Sequence, residues 1–364
     1  MKRRGITRVY TMPMEIEFSG KKTFKTADRT VSASCPSNIA LIKYWGKYAG
    51  QIPANPSISY TLNHCKTNTS LEFTAETAFS VQTFLGEKEE TGFAAKIEKY
   101  FRVIEEYLPW ILQGKYVIRT ENTFPHSSGI ASSASGFGAI AKCLMELDEA
   151  FSATLDVEFK MKKASFLARM GSGSACRSLY DGLVVWGRTG EVEGSSDLFA
   201  VPFPVEEIDP VFRNFNDWVL LIHEGEKSVS STVGHGLMKT NPYAERRFQE
   251  AHENFETMKR ILKNGDMKSF IKLVEHEALT LHAMMMMSDP AFILMKTGTL
   301  AVINTVWEFR KRTDLPLFFT LDAGANVHLL FPSDGNEGKI QAFIEKELLQ
   351  HTQNNGVVKD VMRF

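Results

Sequence analysis

Two stretches rich in small and hydroxyl-bearing residues have the composition of phosphate-binding loops. The first, residues 125–136, reads PHSSGIASSASG and leads from a β-prone run into an amphipathic helical pattern. Small residues let a ligand approach the backbone closely, and the N–H groups and dipole at a helix start favour an anion. Serine hydroxyls could add hydrogen bonds or a contact to Mg²⁺. No Gly-Lys-Ser/Thr follows, so this is not a Walker A loop, and a serine-rich helix cap without a ligand is the alternative.

The second stretch, residues 171–178, reads GSGSACRS and again leads into a helix start. It adds Arg177, whose planar fork of donors suits a phosphate or a carboxylate. The alternative is a surface loop with an incidental arginine. Two such loops in one chain favour a substrate and a cofactor that both carry phosphates.

Two further segments carry charged side chains in unusual surroundings. Lys43 and Lys47 flank Tyr44 and Trp45, and this segment by itself is more typical of an aromatic core with solvated lysines. Asp322 begins a run of small residues between two β-prone runs. It is either a turn former or a carboxylate held rigidly at a site.

Other conspicuous residues have simpler interpretations. The methionines at 284–287 are typical of an adaptable core, and His282 is interpreted as a structural histidine. The four cysteines include no CxxC pair, which argues against a zinc knuckle or a thioredoxin-like motif. This cysteine usage predicts a reducing cytoplasm.

The charge balance and the lengths of the apolar runs argue against several classes of protein. Lys plus Arg is 42 and Asp plus Glu is 43, so there is no basic excess for general nucleic-acid binding. No 7–15-residue apolar stretch follows the basic residues of the first ten, so a signal peptide is not predicted. The apolar run at 218–222 is far shorter than the ~20 residues that span a bilayer. We therefore expect a soluble protein that binds neither nucleic acid nor membrane.

The elements that must position these segments form a mixed pattern. Helical spacing predicts helices that cover about 93–104, 132–147, 158–170, 243–264, 290–312 and 337–350, and another that follows Gly265 with Asp266 as its N-cap. The second of these carries one apolar face: Phe137, Ile140, Ala141, Leu144 and Leu147. β-prone runs lie at 57–62, 67–73, 79–85, 116–120, 182–186, 218–222, 317–321 and 327–331. Strands and helices without strict alternation predict an α+β fold. The length predicts about two domains, 1–210 with an extension at 1–30, and 211–364.

The four chemical segments occur together, in the right order, in one family. The chain resembles the mevalonate diphosphate decarboxylases of the GHMP kinase superfamily. Residues 36–47 look like the N-terminal signature of that family, 125–136 like the ATP-phosphate loop and 171–178 like the substrate loop. Residues 227–234 resemble a further family segment, and 322–326 the C-terminal signature.

The resemblance implies a two-domain GHMP-kinase fold, with a ribosomal-S5-like N-terminal domain and a ferredoxin-like C-terminal domain. It also implies ATP-dependent decarboxylation of (R)-5-diphosphomevalonate to isopentenyl diphosphate, with ADP, phosphate and CO₂ as the other products. A homodimer is expected on the same basis.

The same resemblance assigns roles to residues. Asp322 would accept the proton of the alcohol, and Lys43 would lie near it and keep it ionised. Arg177 would contact the substrate carboxylate or diphosphate, helped by Tyr44, Lys47, Ser172 and Ser174. ATP would be held by Ser127, Ser128, Gly129, Ala131, Ser132 and Ser133, with Ser133 as a ligand of Mg²⁺.

Three features depart from the family pattern. Ala325 stands where the family usually has proline, the N-terminal extension is long, and the segment at 48–52 is short. These departures bear on the exact substrate more than on the chemistry. The alternatives are a phosphomevalonate decarboxylase, a mevalonate-type kinase without decarboxylation, and a non-catalytic binding protein on the same fold.

Overall fold

A computed structural model describes residues 15–21, 23–125, 130–225, 228–335 and 337–363. Its strands are β1 (Arg29–Ile42), β2 (Ser57–Thr74), β3 (Ser80–Leu85), β4 (Lys88–Glu89), β5 (Lys115–Asn122), β6 (Leu183–Trp186), β7 (Ala200–Pro202), β8 (Asn214–Leu220), β9 (Phe318–Thr320), β10 (Val327–Pro332) and β11 (Val357–Arg363). Its helices are α1 (Thr91–Ile104), α2 (Ser132–Phe151), α3 (Val157–Gly171), α4 (Ser231–Leu237), α5 (Ala244–Asn264), α6 (Met267–Met286), α7 (Thr297–Thr313) and α8 (Glu337–Phe343). The predicted α+β class is confirmed.

The first sheet is built around β2, a strand of 18 residues. The hydrogen-bonded order is β4-β3-β5-β2-β6-β7, and β1 also pairs with β2. Because β1 has no second neighbour among the described strands, it is an edge strand. Its ladder shifts between Pro36 and Asn38. An edge position and a bulge are where a strand tolerates proline, which cannot donate to the ladder.

Three helices cover one face of this sheet. α2 packs on β1 and β2, with α3 beside it and α1 against α3. The apolar stripe predicted for α2 is confirmed, since all its members are buried: Phe137, Ile140, Ala141, Leu144 and Leu147. The predicted N-terminal extension is less separate than expected, because Phe18 is fully buried with its ring 4.7 Å from that of Phe166. Residues 1–14 lie outside the described part of the chain.

The second sheet is antiparallel and has the order β11-β8-β10-β9. Its two faces are both buried. One face packs with α7 and the segment from 337 to 348 around Trp218, Leu220 and Leu329. The other face, with Phe215 and Leu330, belongs to an apolar cluster that continues into the first sheet. The two halves of the protein therefore share a continuous apolar contact.

Asp360 of β11 joins the two sheets at a gap in the first. β6 pairs with residues 57–60 of β2 and β5 pairs with residues 67–74, so the stretch between them lacks those strand partners. The carboxylate of buried Asp360 accepts from the backbone N–H groups of Asn63, His64 and Cys65 at 2.9, 2.9 and 2.6 Å. This contact holds β2 against the second sheet at the side of the molecule where the two halves meet.

Several elements differ from the sequence prediction. The runs at 57–62 and 67–73 are one strand, β2, and α7 begins at Thr297 instead of 290. The last predicted helix changes after Phe343 into a π-helical turn, Ile344–Leu348. β1, β4, β7, β11 and α4 were not predicted. No helix in the described ranges is long and apolar enough to cross a membrane.

Candidate active site

A cleft of about 510 Å³ lies between the two halves and gathers the predicted segments. Each predicted site residue within the described ranges lines it: Lys43, Tyr44, Lys47, Ala131, Ser132, Ser133, Ser172, Ser174, Arg177 and Asp322. Ser127, Ser128, Gly129 and Lys227 lie outside the described residues. The cleft is also lined by residues that sequence reasoning did not single out, among them Lys96 and His235.

Each segment reaches the cleft at the end of a regular element. Lys43 directly follows β1, Ser132 is the first residue of α2, and Arg177 lies in a 3₁₀ helix, Gly173–Leu179, directly after α3. Asp322 lies in the turn between β9 and β10. Ends of rigid elements are suited to holding functional side chains, because the scaffold fixes where the chain leaves the core.

The turn that carries Asp322 is held without the family's usual proline. Ala325 is buried, and its carbonyl oxygen accepts a 2.6 Å hydrogen bond from the hydroxyl of Thr299 in α7. The side chain of Asn326 accepts from the backbone N–H of His223 at 2.9 Å. These bonds restrain the turn, so the alanine at this departure does not leave it unsupported.

Lys43 and Asp322 form an ion pair at the centre of the cleft. The distance from Lys43 Nζ to Asp322 Oδ1 is 3.1 Å, and the two side chains are 2% and 28% exposed. Burial lowers the pKa of Lys43, while the charge of Asp322 and its hydrogen bond oppose this shift. The carboxylate therefore remains accessible to a ligand while the ammonium group lies behind it.

Arg177 is buried among neutral hydrogen-bond acceptors. Its Nη1 donates to Ser57 Oγ at 2.6 Å, its Nε to Ser59 Oγ at 3.0 Å, and its Nη2 to Asn38 Oδ1 at 3.2 Å. Burial lowers the pKa of Arg177, but a guanidinium group stays charged in proteins. A guanidinium has five N–H groups, so one N–H on each terminal nitrogen remains for an anion in the cleft.

The hydroxyl of Tyr44 is buried and has no hydrogen-bond partner among the described residues. Burial raises the pKa of Tyr44, so the phenol stays protonated and can donate. Its ring packs against Trp186 and His235, with centroids 4.6 and 4.3 Å away. A Cβ atom at Gly173 would lie 2.8 Å from this hydroxyl, which explains the need for glycine in the second loop.

His235 of α4 is a cleft residue that sequence reasoning missed. Its Nδ1 accepts from the backbone N–H of Gly46 at 3.0 Å, so the proton of the neutral ring is on Nε2. Burial, then the charges of Lys47 and Arg177, lower its pKa to about 3. His235 is therefore a neutral donor at neutral pH. It is the residue directly after the family-like segment 227–234, and its neighbours in the sequence form no motif that would have identified it as a site residue.

Lys47 and Lys96 add positive charge at one end of the cleft. Lys47 Nζ donates to Gln51 Oε1 at 2.7 Å, and its pKa is lowered by burial and then by Lys96. Lys96, on α1, lies over the ring of Phe137 at 4.9 Å from the centroid, and burial lowers its pKa. Neither lysine has a carboxylate partner among the described residues. Lys96 could not be predicted, because a single lysine on an amphipathic helix is ordinary.

The composition of the cleft fits a polyanion with its magnesium. Four cations line the described part, Lys43, Lys47, Lys96 and Arg177, and the one lining carboxylate is Asp322. α2, a helix of 20 residues, begins here, so the positive end of its dipole faces the cleft. Its N-cap residue, Ala131, has no side-chain acceptor for the first N–H groups of the helix. The described residues contain no cluster of three or more metal-ligating side chains. Mg²⁺ typically binds one or two carboxylates together with substrate phosphates, so it would arrive with a nucleotide.

Fold and cleft together define a two-domain enzyme of the GHMP-kinase type. Family models agree: "Diphosphomevalonate decarboxylase-like N-terminal domain" matches residues 35–199, and "Mevalonate 5-diphosphate decarboxylase C-terminal domain" matches residues 218–362. Diphosphomevalonate decarboxylase of Saccharomyces cerevisiae is 31% identical over 341 residues, which cover 87% of this chain and 81% of the yeast protein. The chain belongs to the diphosphomevalonate decarboxylase family.

Two solved structures share the whole architecture. The crystal structure of mevalonate diphosphate decarboxylase from Staphylococcus aureus has a TM-score of 0.77 and 29% identity, and the match covers 92% of this chain and 96% of that one. The complex of MDDEF with MVAPP, AMPPCP and magnesium has a TM-score of 0.78 and 26% identity, with 93% and 98% covered. The fold predicted from the resemblance is thereby confirmed.

Proposed function

We propose that this protein catalyses ATP-dependent decarboxylation of (R)-5-diphosphomevalonate. The products are isopentenyl diphosphate, ADP, phosphate and CO₂. The observation that carries the proposal is the Lys43–Asp322 pair, which lies in one cleft with Arg177 and the start of α2. Family membership supports the same activity.

Asp322 is the proposed base. Phosphorylation of the tertiary alcohol requires its proton to be accepted, and the carboxylate of Asp322 is the accessible acceptor in the described cleft. Lys43 keeps that carboxylate ionised and neutralises charge that develops beside it.

The basic end of the cleft is the proposed substrate site. Arg177 offers two N–H groups to the substrate carboxylate or diphosphate, and the hydroxyl of Tyr44 offers a donor that is otherwise unpaired. Lys47, Ser172 and Ser174 complete the set. Departure of the phosphate develops positive charge at the carbinol carbon, and the electron pair released when CO₂ leaves forms the double bond.

The start of α2 is the proposed nucleotide site. Ala131, Ser132 and Ser133 line the cleft there, and Ser127, Ser128 and Gly129 precede them in the sequence. When bound, MgATP supplies the phosphoryl group and the charge neutralisation of its transfer. The N–H groups and hydroxyls at the start of α2 would hold phosphate oxygens, and Ser133 would be a magnesium ligand.

The proposal extends to organisation and location. A domain boundary near residue 210 separates β7, the last strand of the first sheet, from β8, the first of the second. The four cysteines are buried and free, which supports a reducing cytoplasm. We propose a homodimer, the commonest form of soluble oligomer.

A product assay tests the proposed activity. The enzyme is incubated with MgATP and, separately, with mevalonate, 5-phosphomevalonate and 5-diphosphomevalonate, and ADP, phosphate and CO₂ are measured. We expect all three products in equal amounts with 5-diphosphomevalonate. ADP without CO₂ would indicate a kinase, products from 5-phosphomevalonate alone would change the substrate, and no ADP with any of them would indicate a binding protein.

Replacing Ser133 with alanine tests the nucleotide site. One hydrogen bond to a charged group contributes about 1.5–3 kcal/mol, so kcat/KM for ATP should fall by about 10- to 100-fold. Ser269→Ala, in the first turn of α6, is the matched control and should behave like wild type. Circular dichroism should show both variants folded. Normal ATP kinetics in Ser133→Ala would leave this serine as a helix-start residue without a ligand.

A further inference from the structure

The main chain of Lys43 lies just beyond the point where its strand ends. β1 ends at Ile42, and its ladder with β2 ends at the pair Ile42 and Ile58. Lys43 is 1% exposed, so water does not pair its N–H and C=O groups. Buried peptide groups without partners are costly, and these two must find partners outside the sheet.

Glu277 of α6 and Arg247 of α5 supply those partners from the C-terminal half. The N–H of Lys43 donates to Glu277 Oε2 at 2.8 Å. The carbonyl oxygen of Lys43 accepts from Arg247 Nη2 at 3.4 Å and from Asn55 Nδ2 at 3.0 Å. Both polar groups of this peptide position are therefore held by side chains.

The carboxylate of Glu277 is itself held from several directions. It is fully buried and accepts hydrogen bonds from both terminal nitrogens of Arg247, at 3.1 Å on Oε1 and 2.6 Å on Oε2. Asn254 Nδ2 donates to Oε1 at 2.6 Å. The planar fork of arginine fixes the plane of the carboxylate, so Oε2 has little freedom to leave the N–H of Lys43.

The same helix also contacts the backbone at Asp322. Nε2 of His282, on α6, lies 3.1 Å from the carbonyl oxygen of Asp322. α6 therefore touches the main chain of both members of the ion pair in the cleft, Lys43 through Glu277 and Asp322 through His282. One helix thus contacts the main chain at both residues of the ion pair.

We propose that Glu277 is a positioning residue for the reaction, with Arg247 as its orienting partner. Glu277 fixes the main chain of Lys43 so that its ammonium group meets Asp322. The proposal rests on the proposed function, because it takes Lys43 and Asp322 as participants in the reaction. Glu277 does not line the described cleft. It acts through Lys43, and its loss should reduce kcat more than binding of either substrate.

A second ion pair on α6 provides a matched control. Glu275 is buried and accepts hydrogen bonds from both terminal nitrogens of Arg310, at 2.8 and 2.9 Å. Arg310 also donates to a backbone carbonyl, that of Leu317, at 2.7 Å. The two pairs have the same chemistry on the same helix, but Glu275 has no contact with Lys43 or Asp322. The control pair is less buried, with Arg310 and Glu275 side chains 23% and 8% exposed against 1% and 0% for Arg247 and Glu277, so the comparison is made on kcat and not on Tm.

The experiment compares Glu277→Gln and Arg247→Lys with Glu275→Gln and Arg310→Lys. A glutamine at 277 keeps one acceptor oxygen and places an amide donor opposite Arg247 or the N–H of Lys43. Misplacement of a catalytic group by about 1 Å can lower the rate up to ~10²-fold. We therefore expect kcat to fall at least about tenfold in Glu277→Gln and in Arg247→Lys. KM for both substrates should stay within about threefold of wild type. The control pair should keep wild-type kcat, whatever its change in Tm.

The results distinguish failure of the positioning role from failure of the proposed function. Equal kcat values in the Glu277 and Glu275 variants would overturn the positioning role. If Glu277→Gln does not fold, the comparison of kcat is made between Arg247→Lys and Arg310→Lys, because these variants keep both charges of each pair. Wild-type enzyme that produces neither ADP nor CO₂ would refute the proposed function, whereas active wild type with an unimpaired Glu277 variant would refute the positioning role alone.

Discussion

Asp322→Asn is expected to lower kcat at least about 10³-fold, because general-base catalysis contributes ~10²–10⁴-fold and charge stabilisation adds to it. Asparagine keeps the size of the side chain and most of its hydrogen bonding but removes the base and its negative charge. It also leaves Lys43, buried and 3.1 Å away, without its ionic partner in the cleft. Nucleotide binding should be retained, because the proposed nucleotide site is the start of α2 and not Asp322. Fluorescent-nucleotide titration beside steady-state kinetics measures both properties.

The matched control for this substitution is Asp209→Asn. Asp209 is half-buried and accepts from the backbone N–H of Val211 in a 3₁₀ turn outside the cleft. This variant should keep wild-type kcat. If Asp322→Asn binds nucleotide normally and turns over within about tenfold of wild type, Asp322 is not the base.

Arg177→Lys is expected to lower kcat/KM for diphosphomevalonate by about 10²-fold, the equivalent of losing one or two charge-assisted hydrogen bonds. A lysine keeps the charge but has one nitrogen, which cannot reach Ser57, Ser59 and Asn38 together and also bind an anion. The side chain at 177 is buried, so the acceptors left unpaired should also lower Tm.

Arg213→Lys controls for the general cost of replacing a multiply bonded arginine. Arg213 donates to the carbonyl oxygens of Val205 and Ile208, which do not line the described cleft. Its kcat/KM should match wild type even if Tm falls. Equal kcat/KM values for Arg177→Lys and wild type would mean that Arg177 does not touch the substrate.

The electrostatics of the cleft explain why these two substitutions should have large effects. Lys43, Lys47, Lys96 and Arg177 are all at least partly removed from water, and burial lowers the pKa of each. Interactions with an anionic ligand are stronger in such an environment than in water. Removing one donor or acceptor in the cleft therefore lowers activity more than the same change at the surface.

Local signals in the sequence were sufficient for much of the scaffold. The 3.6-residue spacing of apolar residues located α2 and its buried face, because a helix that covers a sheet must bury one stripe. Asp266 was predicted as an N-cap, and its side chain accepts from the N–H of Ser269 at 3.1 Å. Glycine and serine mark the two loops because close backbone approach requires small residues.

Other features of the scaffold had no local signal. Pro36 and the small polar residues around it argue against a strand, yet β1 forms because an edge position and a bulge remove the need for that donor. β11 was missed because its strand character depends on pairing with β8, which is distant in the sequence. Pairing with a remote partner is decided by the whole fold and not by the strand's own residues.

For the site, the order of residue types along the chain carries the resemblance on which the assignment of Lys43, Arg177 and Asp322 rests. Folding of the whole chain is what places Lys43 Nζ 3.1 Å from Asp322, brings His235 and Lys96 to the same cleft, and sets Glu277 against the main chain of Lys43. The physical reason is that these contacts join residues far apart in the sequence. Such contacts leave no periodicity or spacing to read, because they arise when two sheets and the helix α6 pack together.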